Sequence, residues 1–313
     1  MAKFNLSKKT KLKRVLICLL FHEKNLSNLK ILKNIAYNKN DHFLIIFDKI
    51  DCKVKLKKSK NITLLFENKK KNPVPFYRNL AIKYAKNKFE IIFFLDSDTL
   101  PSKNIIQKHY NAHKKYSSIP LIGGSVSPFF LIKYKSVWQV LDGVLSWFTS
   151  IEPLKDKLIK FPYHLPTCNL SIKNFYLQKY NLLFNTKVKT GEDVDLCNKF
   201  RSLNKKMMLI KDANIIHIDR ISFKDFISHQ IEWGRHHYYL RYKKKLVVKK
   251  NNFFLIIFFL FLYPLLIFIL NFFMTYFTLK PWINKNFIYI FFFIPVFFVY
   301  FIKSIFTFTE FLK

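Results

Sequence analysis

The chain has 313 residues, and its 54 lysines and arginines against 19 acidic residues give it a formal net charge of +35 at pH 7. Such a charge is typical of nucleic-acid-binding proteins, because basic surfaces attract phosphate backbones. We discount nucleic acid as a partner, since the excess is nearly all lysine spread along the whole chain and no nucleic-acid-binding motif is present.

Apolar runs of strand length alternate with helical patterns in the first part of the chain. After a basic tail at residues 1–12, residues 15–20 form a continuous apolar run of the kind that is buried on both faces of a parallel sheet. Further strands are predicted at 43–47, 62–66 and 91–95, and helices at 25–37 and 78–86. This alternation predicts an α/β domain with a largely parallel sheet, which we place at residues 13–220.

Polar residues follow several of these strands directly. His22, Asp48 and Asp96 all fall at strand ends, where α/β sheets bind their ligands. Asp96 and Asp98 are two residues apart, so an extended backbone points both side chains to the same face. Carboxylates at the end of a buried strand are costly unless a cation or a ligand meets them. The sequence therefore predicts a metal–diphosphate site at this edge of the sheet.

The second half of the domain carries further polar motifs. Asn169 lies in a predicted strand at 167–172, Gly191-Glu192-Asp193 opens a predicted helix at 192–203, and His217 closes a predicted strand at 214–218. Acidic residues are common at helix N-termini, so Glu192 and Asp193 also fit a structural role there. His217 equally fits a satisfied core histidine. His109 and His113 lie four residues apart on a predicted helix, and without an accompanying Glu we expect solvated helix surface rather than a metal pair.

The C-terminal third is predicted to attach the chain to a membrane. We expect a basic, aromatic interfacial helix and linker at residues 221–252 and a two-helix membrane anchor at 253–313. Residues 253–274 are 22 uncharged residues, about 33 Å as a helix, which is enough to cross a bilayer. Residues 287–302 are only 16, so they cross by borrowing flanking residues or form a re-entrant or interfacial segment instead.

A cationic stretch at residues 241–250 precedes the first apolar run. By the positive-inside rule this stretch predicts that the large domain lies on the cytoplasmic side of the inner membrane. Its lysines and arginines would also attract anionic lipid headgroups, which we therefore expect as a partner.

Taken together, the motifs resemble those of family 2 glycosyltransferases, over roughly three quarters of the chain, from residue 13 to 242. They occur in the family's order: His22-Glu23-Lys24-Asn25, Asp48, Arg78-Asn79, Asp96-Ser97-Asp98, Asn169, Gly191-Glu192-Asp193, His217 and Gln230…Trp233…Arg235. Each motif alone is weak, and their order and strand-end context together are specific. The resemblance implies the A-type fold, a Rossmann-like mixed, mainly parallel sheet flanked by helices, followed here by a transmembrane helical hairpin.

The resemblance also implies a nucleoside-diphosphate sugar donor and a divalent cation, Mn²⁺ or Mg²⁺. It implies Asp98 and His217 as metal ligands, Asp96, Asp48 and Arg78 as donor-binding residues, and His22 as a residue that stacks on the base. The Gly-Ser that usually follows the uracil-binding acid is replaced after Asp48 by Lys49-Ile50-Asp51, which leaves the base open. An exposed surface arginine is the alternative for Arg78.

For the reaction itself, the resemblance implies Asp193 as the base that takes a proton from the acceptor hydroxyl, with Glu192 orienting the acceptor. One base and no covalent intermediate predict inversion at the anomeric carbon. Implied acceptor-binding residues are Asn169, Gln230, Trp233 and Arg235. The last three differ in order and spacing from the Gln-Arg-Trp motif of polymerising relatives, and an interfacial helix with a tryptophan anchor is the alternative.

These inferences lead to one main hypothesis and two alternatives. The main hypothesis is an inverting, metal-dependent glycosyltransferase that moves a sugar to a hydroxyl of a lipid-linked or cell-envelope glycan at the cytoplasmic membrane face. In the first alternative the acceptor is polyprenyl phosphate, whose oxygen has less need of a base such as Asp193. In the second, the chain is a non-catalytic membrane protein that binds sugar nucleotides or anionic lipid on the same scaffold.

Overall fold

The structure is a computed structural model that describes residues 12–21, 31–48, 59–67, 73–160, 163–238, 254 and 257–312. His22 and the cationic stretch at 241–250 lie outside the described residues, so the predictions made for them stay predictions. The nine strands within this part of the chain are β1 (Lys13–Phe21), β2 (His42–Phe47), β3 (Ile62–Phe66), β4 (Phe89–Asp96), β5 (Thr99–Pro101), β6 (Leu121–Pro128), β7 (Lys157–Leu158), β8 (Asn169–Lys173) and β9 (Met207–His217).

The strands form one mixed sheet in the order β3-β2-β1-β4-β8-β6-β9-β5, with β7 paired to β9. The half from β3 to β4 is parallel throughout, β8 runs antiparallel to both β4 and β6, and β6 is parallel to β9. The prediction of a mixed, mainly parallel sheet flanked by helices is therefore confirmed.

The helices cover the sheet and continue into an apolar pair at the C-terminus. They are α1 (Ile31–Asn34), α2 (Pro73–Ala85), α3 (Ile105–Lys115), α4 (Val137–Trp147), α5 (Asn174–Lys179), α6 (Glu192–Ser202), α7 (Phe223–Tyr238), α8 (Tyr263–Ile283) and α9 (Phe293–Leu312). Helix α2 begins five residues before the predicted start at residue 78. Proline is tolerated in a first helical turn, where the amide hydrogens have no helical partner, so Pro73 and Pro75 do not break it.

Two apolar cores fill the two faces of the sheet. Along β1, Leu16, Cys18 and Leu20 belong to one core and the alternating residues to the other. Because successive side chains of a strand point to opposite faces, a strand covered on both sides must be apolar at every position. The continuous run predicted from the sequence has this environment.

The C-terminal helices form a hairpin. Two helical segments, Leu260–Ile283 and Phe287–Leu312, are long and apolar enough for each to cross a membrane, judged by length and composition. Polar side chains join them: Ser304 Oγ donates to Asn271 Oδ1 at 2.8 Å, and the Thr278 and Tyr300 hydroxyls lie 2.5 Å apart. The first segment ends nine residues later than predicted, past Lys280, and the second extends ten residues beyond residue 302.

Candidate active site

The candidate site lies at the end of β4. In the parallel register of β4 with β1, Asp96 pairs with Leu20, the next-to-last residue of β1. The chain then turns, and the Thr99 hydroxyl donates to the Asp96 carbonyl at 2.7 Å. Strand β5 leaves this turn antiparallel to β9 with Thr99 opposite His217, so the turn sets Asp98 beside the end of β9. The Asp48 amide, after β2, donates to the Phe21 carbonyl at 3.2 Å on the same edge.

Arg78 joins two of the predicted acidic residues. Its guanidinium is only 3% exposed, and Nη2 lies 2.9 Å from Asp96 Oδ1 while Nη1 pairs with Glu192. Burial alone would lower the pKa of Arg78, but Asp96 and Glu192 outweigh it and raise that pKa. The alternative of an exposed surface arginine is therefore wrong. Contact of Arg78 with a donor stays a prediction.

Glu192 and Asp193 open α6 through a backbone that requires glycine. Gly191 has φ 82°, in the left-handed region that side chains disfavour. Burial raises the pKa of Asp193 to about 6, although Arg78 and the Val194 amide, which donates to its Oδ1 at 2.7 Å, act in the opposite direction. Burial likewise raises the pKa of Glu192, against the effect of Arg78. A carboxyl that titrates near neutral pH suits general base catalysis.

Asp98 and His217 face each other beside this group. His217 Nε2 lies 3.5 Å from Asp98 Oδ1, and its Nδ1 lies 3.3 Å from Asp219 Oδ1. Burial alone would lower the pKa of His217, but the two aspartates raise it to about 9. Asp98 Oδ1 is buried without a hydrogen-bond partner among the described residues. In that part of the chain, no group of three or more His, Cys, Asp or Glu side chains is arranged to hold a metal ion.

Two residues that the sequence reasoning missed border the site. His164 Nε2 lies 3.7 Å from Asp193 Oδ2, and its ring centroid is 6.5 Å from that of Trp233. A lone histidine in an irregular segment carries no sequence signal of this role. Asp219, which also accepts a hydrogen bond from Trp147 Nε1 at 2.7 Å, could have been found, because it follows His217 at the spacing that separates Asp96 from Asp98.

Asn169 is a correction to the predicted acceptor site. Its side chain is fully buried at the start of β8. Nδ2 donates to the carbonyls of Ser125 at 3.0 Å and Ala213 at 2.8 Å, and Oδ1 accepts from His109 Nε2 at 2.9 Å. With these bonds made inside the protein, Asn169 ties β8 to its neighbouring elements and presents no group to an acceptor.

The remaining three predicted acceptor residues lie on α7. Gln230 is 1% exposed, and its Nε2 donates to Asp142 Oδ1 at 3.4 Å. The Arg235 guanidinium is exposed and lies 3.7 Å from Glu310 of α9. Trp233 borders the site through His164, and its Nε1 donates to His229 Nε2 at 3.0 Å. An acceptor role for Gln230 is thus corrected by its burial, and Arg235 contacts the C-terminal hairpin instead.

His109 and His113 are also buried, and the expectation of a solvated helix surface is wrong. They are 1% and 3% exposed, and both rings lie 2.8 Å from the Ser171 hydroxyl on β8. Burial lowers the pKa of His109 to about 4 and that of His113 to about 3, so both rings are neutral at physiological pH. They belong to the packing of α3 on the sheet.

Comparisons with known proteins add limited further information. No protein-family model matches the chain. Over 169 residues it is 29% identical to the minor teichoic acid biosynthesis protein GgaB of Bacillus subtilis (strain 168), a match that covers 52% of this chain and 17% of that protein. The chain thus corresponds to less than a fifth of that relative. The similarity supports the resemblance to family 2 glycosyltransferases that the motifs indicate.

Among solved structures, the chain is similar to the crystal structure of S. aureus TarS 1–349 in complex with UDP. The TM-score is 0.47 at 15% sequence identity, and the match covers 71% of this chain and 64% of that chain.

Proposed function

We propose that the chain is an inverting glycosyltransferase that moves a sugar from a nucleoside-diphosphate sugar to a hydroxyl of a lipid-linked or cell-envelope glycan at the cytoplasmic membrane face. One observation carries the proposal. Arg78, from the first half of the chain, joins Asp96 to Glu192, so that a buried base candidate, Asp193, lies beside the strand-end carboxylates. A purely structural protein has little use for two buried acids at one helix start whose pKa values are both raised.

The residues fit a divalent cation in part. Asp98 Oδ1 and His217 Nε2 offer one carboxylate and one imidazole, 3.5 Å apart, and the carboxylate oxygen makes no other hydrogen bond within the described residues. Asp219 would orient the imidazole from its other nitrogen. Two protein ligands suit a cation that takes the rest of its ligands from phosphates and water. When bound, Mn²⁺ or Mg²⁺ would supply charge neutralisation for the departing diphosphate.

On the acceptor side of the reaction, Asp193 acts as the general base. Its carboxylate takes the proton of the acceptor hydroxyl while that oxygen forms the new bond to the anomeric carbon. The bond between this carbon and the diphosphate breaks on the opposite face, which inverts the configuration. With a pKa of about 6, Asp193 is mostly ionised at pH 7 and can still hold the proton it receives. Glu192, fixed by Arg78, keeps the start of α6 in place.

Two further observations support the choice of acceptor and location. The similarity to a minor teichoic acid biosynthesis protein supports a cell-envelope glycan as the acceptor. The two apolar C-terminal segments support attachment to a membrane, where a lipid-linked acceptor is available. The particular sugar, nucleotide base and acceptor within these classes are to be identified by the experiment below.

The test measures release of nucleoside diphosphate by purified full-length protein with Mn²⁺, across a panel of nucleotide sugars and lipid-linked acceptors. We expect release with one donor class only when an acceptor is present. Asp193→Asn should reduce it by roughly 10²–10⁴-fold, the usual contribution of a general base. Asp212→Asn, the same change at an exposed position of β9, is the matched control and should retain activity.

The outcomes separate the alternatives. If the wild type transfers sugar to polyprenyl phosphate but to no hydroxyl acceptor, and Asp193→Asn leaves that transfer intact, the acceptor is the lipid phosphate. If no donor yields nucleotide with any acceptor, while nucleotide sugar still binds, the chain is a binding protein and the enzymatic proposal fails.

A further inference from the structure

The tip of the apolar hairpin contacts the α/β domain. Trp282, at the end of α8, is 1% exposed, and its Nε1 donates to the Val144 carbonyl of α4 at 3.1 Å. Tyr289, just beyond the turn, lies with its ring centroid 6.4 Å from that of Phe130. The tip is therefore packed into the domain surface.

The far end of the hairpin contacts α7, which packs on α4 of the same domain with the ring centroids of Phe226 and Trp138 5.8 Å apart. A Cβ atom on Gly234 would lie only 2.6 Å from the Lys303 carbonyl oxygen, so the backbones of α7 and α9 touch there. The Thr307 hydroxyl donates to the Gly234 carbonyl at 2.9 Å. Glu310, near the end of α9, pairs with Arg235 at 3.7 Å. Contacts with the domain thus run from one end of the hairpin to the other.

This geometry conflicts with a hairpin that stands across a bilayer. In that orientation the tip would be separated from the domain by about 30 Å of hydrocarbon. If α9 crossed the hydrocarbon while still packed on α7, it would carry into it the exposed side chains of Lys224, Asp225 and Arg235. Charged side chains are strongly disfavoured in the hydrocarbon of a bilayer. The packed hairpin and a spanning hairpin exclude each other.

The outer face of the hairpin is nevertheless strongly apolar. Six of its large side chains, all more than half exposed, are Leu265, Phe268, Phe272, Phe291, Ile294 and Phe298. So many exposed apolar side chains on two neighbouring helices are rarely left to water in a stable protein. The hairpin tip carries the exposed cations Lys280 and Lys285.

A short loop beside the tip extends this surface. Residues 131–135, Leu-Ile-Lys-Tyr-Lys, are all exposed, and the neighbouring Phe130 contacts Trp282 with ring centroids 6.1 Å apart. Apolar and aromatic side chains between lysines match the boundary between headgroups and acyl chains, where lysines meet anionic lipid.

We propose that α8 and α9 lie in the plane of one leaflet of the membrane, inserted by their outer face, with the α/β domain packed on the inner face. The occupant of the apolar face is lipid, and the lysines at the tip and in the loop beside it fit anionic headgroups. This monotopic arrangement is independent of the transfer reaction. It predicts that both ends of the hairpin are on the same side of the membrane as the domain.

The first test is chemical labelling with a membrane-impermeant maleimide. Lys285→Cys at the hairpin tip is compared with Lys103→Cys on the domain, in a Cys52→Ser background whose Cys18, Cys168 and Cys197 are buried. In closed vesicles in which residue 103 is labelled from outside, residue 285 should be labelled to a similar extent. Labelling of residue 285 only after detergent opens the vesicles would show that it lies on the far side and would overturn the proposal.

The second test measures depth with nitroxide labels on the outer face. Phe268→Cys, five residues after the start of α8, and Phe291→Cys near the tip are labelled in the full-length protein in anionic lipid vesicles. An in-plane hairpin places both labels at a similar shallow depth, about 5–10 Å below the headgroups. A spanning hairpin places residue 268 near the bilayer centre and residue 291 near the opposite surface. Clearly unequal depths in that order contradict the proposal.

Discussion

Replacing Arg78 with methionine is expected to destabilise the protein strongly and in a pH-dependent way. The guanidinium is 3% exposed and pairs with Asp96 and Glu192, and its charge holds down the pKa values of Glu192 and Asp193. Methionine keeps much of the side-chain volume and removes the charge. Glu192 and Asp193 then remain in a buried site with no cation to offset their desolvation.

The size of the destabilisation depends on which acidic partner of Arg78 is left more poorly solvated. Removal of one member of a buried ion pair costs about 3–5 kcal/mol. Asp96 is 29% exposed and can be solvated by water, whereas Glu192 is only 13% exposed. The loss therefore falls mainly on Glu192, and we expect about 3 kcal/mol at pH 7.5, the lower end of that range.

The sign of the pH dependence is fixed by the direction of the pKa changes. Glu192 and Asp193 already have folded-state pKa values above their reference values of 4.5 and 3.8, and the variant raises them further. The folded state then binds more protons than the unfolded state, so its stability falls as pH rises through this window. The difference between Arg78→Met and the wild type should be small near pH 4 and should widen towards pH 7.5.

Urea unfolding followed by circular dichroism at several pH values measures the effect. Arg78→Met/Glu192→Gln should be more stable than Arg78→Met at pH 7.5, because the second change removes the unpaired charge. Arg235→Met removes an exposed arginine with surface partners and should lose no more than about 1 kcal/mol. A loss below that value for Arg78→Met, or no recovery in the double variant, would refute the reasoning.

Three further outcomes are expected. Transfer by the wild type should fall as pH drops below about 6, because Asp193 must be ionised to accept a proton, and a pH profile of kcat/KM that is flat from 5 to 8 would argue against this base. Chelation with EDTA should abolish transfer and Mn²⁺ restore it, and Asp219→Asn, which removes the carboxylate that would orient His217, should raise the Mn²⁺ requirement by roughly 10–100-fold in a titration. His109→Leu should cost about 2 kcal/mol in urea unfolding, since it leaves the buried Asn169 Oδ1 without its hydrogen-bond donor, while the Ser171 hydroxyl keeps His113 and the Ile122 carbonyl as partners.

Much of the α/β body could be predicted because its strands obey one simple rule. A strand covered on both faces must be apolar throughout, and the runs that became β1, β2 and β4 have that composition. The order of the strands could not be predicted in the same way. Strand β8 inserts between β4 and β6, from a segment some 70 residues beyond β4 along the chain, and no local pattern encodes that pairing.

The acidic residues of the site could be predicted from the sequence, but most of their contact partners could not. Carboxylates that are buried at a strand end or a helix start need a compensating partner. Asp96 and Glu192 share such a partner, because both pair with Arg78. That Arg78 compensates them is a tertiary contact across 114 residues, which spacing alone does not reveal. Polar residues such as Asn169 mislead for the same reason, because an amide can satisfy a substrate or three neighbouring backbone and side-chain groups equally well.

The buried histidines of α3 illustrate a signal that was available. Ile105, Ile106, His109 and Ala112 follow the spacing of one helical face, and all four are buried. A histidine that falls on the apolar face of a helix should be assigned to the core with the rest of that face. Its ring is then neutral and needs partners, which Asn169 and Ser171 supply.

The orientation of the hairpin could not be derived from hydropathy, which reports how apolar a segment is and not what it packs against. Gly234 carried the relevant signal. Glycine inside a helix is unfavourable by about 1 kcal/mol relative to alanine, so a glycine in α7 requires a compensating close approach. The compensation is the Lys303 backbone, within 3.0 Å of where a Cβ would stand. Helix α7 therefore has a glycine at the point where the backbone of α9 packs directly against it. Any arrangement of the hairpin in the membrane must retain this contact between α7 and α9.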